Sequence, residues 1–166
     1  MSRFFGQIQN AAKYLNLDLN AQEMAQLAVN RGYSEENIQA IAEMLMYLQQ
    51  KKKENIVSTL LRLSRLPLKE PKTFESFDFG QLNGKQADAL KNLPALSALY
   101  AHKNLAFIGP QGVGKTHLAM AYGRQCCQNG LKAYFLKATE LNQRLTDARR
   151  YGRESSTIIL FGKDIF

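Results

Sequence analysis

The chain has 166 residues, of which 45% are hydrophobic and 22% charged, and its net charge is +8. This is a globular composition, and the length suits one ordinary domain or a small domain joined to part of another. No apolar run is long enough for a membrane helix, and polar residues interrupt the N-terminus, so we expect neither a membrane span nor a signal peptide. The basic excess favours polyanions such as nucleic acid as partners, although it also fits a merely solvated basic surface.

The first part of the chain, residues 1–72, is predicted to be an all-α N-terminal region. Asn20 is a predicted N-cap, with Glu23 three residues later as in a capping box, and Gly32 is expected to end that helix. Ser34 is expected to cap the next helix, whose apolar residues recur at helical spacing. The rhythm weakens at the lysine run 51–53 and then resumes until Pro67. One long helix and two joined helices both fit this pattern.

Basic side chains concentrate around and after the lysine run. If the chain binds DNA, the candidate contacts are Lys51, Lys52, Lys53, Arg62 and Arg65. Such side chains would contact the phosphate backbone, because no base-reading motif is present. The alternative is a solvated helix face.

Residues 67–83 join the helical region to a second predicted domain, residues 73–166. Three phenylalanines, Phe74, Phe77 and Phe79, lie within six residues of this join. That apolar content is too high for a free linker, so we expect the segment to pack against the second domain. A helix disturbed by Pro94 is predicted over residues 85–100.

The second domain is predicted to be α/β. An apolar run at residues 105–108 is the expected first strand, followed by a glycine-rich loop and a helix over 116–128. A second strand at 132–136 and a helix over 139–150 then complete a strand–helix–strand unit, which implies a parallel crossover. Adjacent Cys126 and Cys127 on the first of these helices fit neither a disulfide framework nor a zinc site. A reducing cytoplasm is therefore the expected location.

The loop carries the most specific motif of the chain. Its sequence has the G-x-x-x-x-G-K-T form of a phosphate-binding loop, in the order Gly109, Pro110, Gln111, Gly112, Val113, Gly114, Lys115, Thr116. Its backbone N–H groups and the following helix N-terminus would bind the phosphates of ATP. Lys115 would reach the β- and γ-phosphates, and the Thr116 hydroxyl would hold Mg²⁺. With His117, these residues form the predicted ATP site.

The second half resembles the IstB/DnaC-type branch of the AAA+ ATPases. The resemblance rests on the Phe74–Phe79 stretch, on residues 104–109, on the loop followed by His117-Leu118-Ala119, and on residues 130–141. It implies a parallel-sheet P-loop NTPase fold that is incomplete here. It also implies an ATP-dependent DNA protein: a helper of insertion-sequence transposition acting with a transposase or, as the alternative, a loader of the replicative helicase. The full-length parent is expected to be a homo-oligomer.

The chain departs from this family after Gly152. The family continues to a strand that ends in the Walker B acids, and then to a sensor asparagine and an arginine finger. Here the apolar run Ile158–Phe161 is followed by Gly162 and Lys163, and Asp164 comes two places late. We therefore expect a truncated or frame-shifted product with ATP hydrolysis at or near background, and assign no catalytic residue. A non-hydrolysing remnant is thus a further alternative, and whether the chain is an enzyme stays open.

Overall fold

A computed structural model of the chain describes residues 2–82 and 87–152. The α-helices in these residues are α1 (Ser2–Leu15), α2 (Ala21–Arg31), α3 (Glu35–Leu63), α4 (Ala87–Lys91), α5 (Ser97–Tyr100), α6 (Lys115–Gln128) and α7 (Ala138–Arg150). Short 3₁₀ turns occupy Phe79–Gln81 and Leu93–Ala95. None of the helices in the described part of the chain is long and apolar enough to cross a membrane.

The chain divides into two compact units, Met1–Ile56 and Val57–Phe166. The division falls within α3, near its C-terminal end. The boundary between residues 72 and 73 that the sequence suggests stays a prediction.

The first unit is built from α1, α2 and most of α3. Its buried core consists of Ile8, Ala28, Ile38 and Ala42. The predicted helix boundaries are confirmed: the Asn20 side chain accepts a hydrogen bond from the backbone N–H of Gln22, and Gly32 ends α2 in the left-handed conformation at φ +65°. The Ser34 hydroxyl likewise accepts from the N–H of Asn37 at 3.3 Å.

Helix α3 is one continuous helix of 29 residues, which settles the alternative that the sequence left open. The side chains of the lysine run have partners both on α3 and on α1. Lys51 pairs with Glu54 at 3.0 Å, and Lys52 Nζ donates to the carbonyl oxygen of Tyr14 at 2.9 Å. The Lys51 hydrogen bond also lowers the pKa of the Glu54 carboxyl. A cation at the end of α1 is favourable because the last carbonyls of a helix carry partial negative charge.

The second unit has its core under the aromatic segment, residues 73–79. Phe74 is buried with Leu93, Leu118 and Ala121 in one cluster, and Phe77 and Phe79 pack against it. The expectation that these phenylalanines pack on the second domain is confirmed. The predicted helix over 85–100 is instead interrupted: α4 ends at Lys91, Pro94 lies in a 3₁₀ turn, and Leu96 adopts φ +54° before α5.

The prediction of a parallel α/β sheet, with its strand–helix–strand crossover, is wrong. No β-strand occurs in residues 2–82 or 87–152, and the segments expected to be strands, 105–108 and 132–136, have no regular secondary structure. Parallel strands are normally buried on both faces, but the side chain of Ile108 is 93% exposed. The Phe135 N–H donates to the Ser64 carbonyl at 2.7 Å, but Ser64 directly follows α3 and is not part of a strand. Short apolar runs are ambiguous by pattern alone, and here they lack the neighbouring strands that would make them a sheet.

Two features of the sequence fall outside the described residues: the apolar run 158–161, and Asp164, which comes two places after the expected position of the Walker B acids.

The cysteines of α6 are both buried and free. Burial raises the pKa of the Cys126 thiol to about 11, and it also raises the pKa of Cys127. Because the thiolate is the reactive form, we expect neither cysteine to react appreciably with a thiol reagent at pH 8 in the folded chain. Both should react at once in denaturant. Fast labelling of the native chain would show that α6 does not pack as described.

Candidate functional site

The glycine-rich loop, residues 109–116, leads directly into α6. Gly112 and Gly114 have φ of +87° and +88°, a backbone region that favours glycine. Helix α6 begins at Lys115, within one residue of the predicted start. The two glycines turn the chain so that the helix N-terminus opens toward the loop.

The N-terminus of α6 offers free hydrogen-bond donors. Its N-cap is Gly114, which has no side chain to accept from the first N–H groups of the helix. No acidic residue lies in the first turn of α6. The helix dipole therefore favours an anion at this end, and phosphate oxygens suit both features.

The side chain of Lys115 lies across the loop. Its Nζ donates to the carbonyl oxygen of Gly109 at 2.9 Å and to that of Pro110. The charge is thus already held over the loop, and phosphate oxygens could replace the two carbonyl oxygens as acceptors. A charged donor bonded to an anionic acceptor forms a stronger hydrogen bond than one bonded to a neutral carbonyl.

The aromatic segment lies against the start of α6. A Cβ atom added to Gly114 would come within 2.5 Å of Phe77 Cε2, so the Phe77 ring occupies the space beside this glycine. His117 Nε2 lies 2.8 Å from the carbonyl oxygen of Thr73 and 3.3 Å from Ser76 Oγ. Sequence reasoning assigned His117 to the ATP site but missed these contacts. The Thr73–Ser76 spacing and the three phenylalanines were the available signals.

The residue predicted to hold a metal, Thr116, lies exposed in the first turn of α6. No group of three or more His, Cys, Asp or Glu side chains suited to a metal occurs where the structure describes the chain. Mg²⁺ would therefore be held by the Thr116 hydroxyl together with phosphate oxygens of a nucleotide. Such a ligand set agrees with the preference of this ion for phosphates and water.

The candidate DNA-binding residues fall in different settings. Lys51 pairs with Glu54, and Lys52 is half-buried against α1. Lys53 and Arg62 are exposed, with Lys53 Nζ 5.3 Å from the centre of the Tyr14 ring. The three lysines and Arg62 lie on α3, whereas Arg65 follows its end; the lysines belong to the first unit and the arginines to the second.

Arg65 belongs to a cluster that the sequence did not reveal. Its guanidinium lies 5.6 Å from the centre of the Tyr134 ring and 3.3 Å from a carboxylate oxygen of Glu140. The guanidinium of Arg144 lies 5.5 Å from the same ring centre and donates to the Tyr134 hydroxyl at 3.1 Å. Residues up to 79 positions apart in sequence (144 − 65) thus form one partly exposed basic and aromatic surface.

A comparison with known protein families gives a match that covers the aromatic segment and the glycine-rich loop. The family model described as IstB-like ATP binding protein matches residues 10–162, which include both the aromatic segment and the glycine-rich loop. The chain belongs to this family. The IstB-like match also extends over the first helical unit, where the sequence offered no motif.

IstB-like relatives occur in insertion sequences of several bacteria. An ATP-binding protein of IS5376 from Geobacillus stearothermophilus is 34% identical over 112 residues, covering 68% of this chain and 44% of the relative. A counterpart in IS232 from Bacillus thuringiensis is 25% identical over 161 residues, covering 95% and 63%. A third, in IS21 from Pseudomonas aeruginosa, is 34% identical over 93 residues, covering 56% and 34%. The chain thus spans between about a third and just under two thirds of the length of these relatives.

Proposed function

We propose that the chain binds ATP with Mg²⁺ through residues 109–117. The observation that carries this proposal is Lys115, which is held over a glycine-rich loop at a helix N-terminus without a side-chain cap. The backbone N–H groups and Lys115 would bind the phosphates, and Thr116 would contribute its hydroxyl to the metal. Membership in an IstB-like ATP-binding family supports the choice of ATP.

We further propose that the protein acts as a helper in DNA transposition, together with DNA and a transposase. The relatives are named as ATP-binding proteins of insertion sequences, which favours transposition over helicase loading. Assembly into a homo-oligomer is proposed as well, and a cytoplasmic location is supported by the two free, buried thiols. Co-purification with a transposase encoded in the same element, rather than with a replicative helicase, would support this role.

Titration of the purified chain with a fluorescent ATP analogue in the presence of Mg²⁺ tests the binding proposal. We expect a saturable signal that ATP displaces and that adenosine, which lacks phosphates, does not. Displacement by adenosine alone would place recognition elsewhere than the loop. The absence of a saturable signal at millimolar analogue would overturn the proposal.

DNA binding is proposed to be electrostatic and to involve Lys53 and Arg62, the exposed members of the basic set that lie outside the ion pairs of Lys51 and Arg65. Each phosphate contact on duplex DNA contributes about −0.9 to the slope of log K against log salt. Substituting both residues with Ala should therefore flatten the slope and weaken binding to unrelated sequences alike. The measurement is fluorescence anisotropy with labelled duplexes at several salt concentrations.

Lys52→Ala is the matched control for this experiment. Lys52 Nζ donates a hydrogen bond to the Tyr14 carbonyl at the end of α1. The substitution should therefore lower the thermal stability of the first unit without changing the salt slope of DNA binding. An unchanged slope in the Lys53→Ala/Arg62→Ala variant would show that these side chains are a solvated surface.

A further inference from the structure

The aromatic segment and the first turn of α6 are joined by a small polar latch, formed by Thr73, Ser76 and His117. Thr73 and Ser76 bond each other reciprocally: the Thr73 N–H donates to Ser76 Oγ at 3.1 Å, and the Ser76 N–H donates to Thr73 Oγ1 at 3.2 Å. This local turn presents the Thr73 carbonyl and the Ser76 hydroxyl together. His117 meets both of them from α6.

The hydrogen-bond roles in the latch follow from its chemistry. A carbonyl oxygen only accepts, so the 2.8 Å contact requires the proton on His117 Nε2. The Ser76 hydroxyl donates to the Thr73 carbonyl at 3.1 Å and already accepts from the N–H and the hydroxyl of Thr73, so the 3.3 Å contact with His117 Nε2 is secondary to the bond that His117 donates to the Thr73 carbonyl. The imidazole is therefore the one donor of the latch that comes from α6.

An apolar contact lies beside the latch. The Phe77 ring packs edge-on against the His117 ring, with the ring centres 5.2 Å apart. The same Phe77 ring fills the space next to Gly114, the N-cap of α6. The Phe77 ring thus contacts both His117 and the glycine that turns the loop into the helix.

We propose that His117 is a positioning residue that couples the docking of the aromatic segment to nucleotide binding in the loop. The docked segment holds Phe77 beside Gly114 and so restricts the backbone whose N–H groups face the phosphates. Nucleotide in the loop fixes the same backbone and so favours the docked segment. This coupling rests on the proposed ATP binding, and it is reciprocal because each event must favour the other by the same free energy.

The test compares His117→Leu, which removes the donor, with His117→Gln, whose side-chain amide retains an N–H donor. Gln128→Leu is the matched control, because it makes a similar polar-to-apolar change at the exposed far end of α6. Two quantities are measured in each variant: the affinity for a fluorescent ATP analogue, and amide hydrogen exchange over residues 73–79 with and without ATP and Mg²⁺.

We expect ATP to slow exchange over residues 73–79 in the wild-type chain, His117→Gln and Gln128→Leu. In His117→Leu, exchange should be faster without ATP, ATP should no longer slow it, and the affinity should fall at least about fivefold, the lower end of typical coupling between sites. Should His117→Leu fail to fold, Ser76→Ala removes the hydroxyl that bonds Thr73 and contacts His117, without changing α6. It should then show a smaller change in the same direction.

Wild-type affinity and ATP-dependent protection in His117→Leu would overturn the coupling while leaving ATP binding intact. Equal losses of ATP affinity and of ATP-dependent protection in His117→Gln and His117→Leu would also overturn the coupling. Such a result would show that the packing of the imidazole ring matters, rather than its N–H donor. A wild-type chain that binds no ATP would overturn the proposed function and the coupling together. Faster exchange over 73–79 in His117→Leu alone would then still identify the latch as a structural contact.

Discussion

Replacing Lys115 with Ala is expected to weaken ATP binding by about 10- to 150-fold. A hydrogen bond to a charged group contributes about 1.5–3 kcal/mol, and each 1.4 kcal/mol corresponds to a tenfold change in Kd. Lys115 bonds the carbonyl oxygens of Gly109 and Pro110, so a bound nucleotide must replace these acceptors with phosphate oxygens. The measured loss of ATP affinity therefore reflects the difference in free energy between the Lys115 bonds to phosphate oxygens and its bonds to the two carbonyl oxygens.

The measurement is the Kd of a fluorescent ATP analogue, with Lys132→Ala as control. Lys132 is exposed outside the loop, so its removal makes the same change in net charge without removing a loop contact. Lys132→Ala should change the affinity by less than about threefold, as expected for distant and screened charges. Equal affinities in Lys115→Ala and the wild type would contradict the assignment of the loop as the phosphate site.

Gly114→Ala is expected to be the most damaging glycine substitution in the loop. An L residue in the left-handed region costs about 1–2 kcal/mol, and this cost applies to Gly112 and Gly114 alike. The added Cβ meets nothing within 4 Å at Gly112, whereas at Gly114 it meets the Phe77 ring at 2.5 Å. Overpacking typically adds about 1–3 kcal/mol, so Gly114→Ala should lose that much more free energy of unfolding than Gly112→Ala.

Urea denaturation of both variants, each with and without Phe77→Ala, separates strain from packing. When Phe77 is truncated to Ala, Gly114→Ala should lower the free energy of unfolding only as much as Gly112→Ala does. The clash with the ring is then gone, and only the strain of an L residue in the left-handed region remains. Nucleotide affinity should recover in the same double variant to the extent that the loop regains its turn. Strictly additive effects of Gly114→Ala and Phe77→Ala would show that the ring does not adjoin this glycine.

Helix positions were predictable from the sequence where local chemistry decides them. Asn20 and Gly32 bound α2 because a side-chain acceptor and a left-handed glycine satisfy orphan backbone groups within a few residues. The start of α6 followed in the same way from the glycines before Lys115. The continuity of α3 through the lysine run did not follow from the pattern. It depends in part on the contact of Lys52 with Tyr14, which lies 38 residues away.

The two strand predictions were wrong because a strand, unlike a helix end, depends on residues outside its own segment. Apolar residues at 105–108 and 132–136 have the composition of strands, but a strand exists only through hydrogen bonds to a neighbour that is distant in sequence. In the described residues no ladder of paired strands forms at either run: Phe135 bonds the Ser64 carbonyl, which is not in a strand, and Ile108 stays exposed. Membership in the IstB-like family was foreseen from residues 73–151, because it rests on motifs rather than on the arrangement of strands.

The sequence by itself determined the helix ends, the glycine-rich loop with Lys115 and Thr116, and the family, since each depends on residue types at short spacings. Only the tertiary structure decided what surrounds the loop. The contact of His117 with Thr73 spans 44 residues, and the Phe77 ring reaches Gly114 across 37 positions. Whether such distant groups meet depends on how the core around Phe74 and Leu118 packs, and no local pattern encodes that packing.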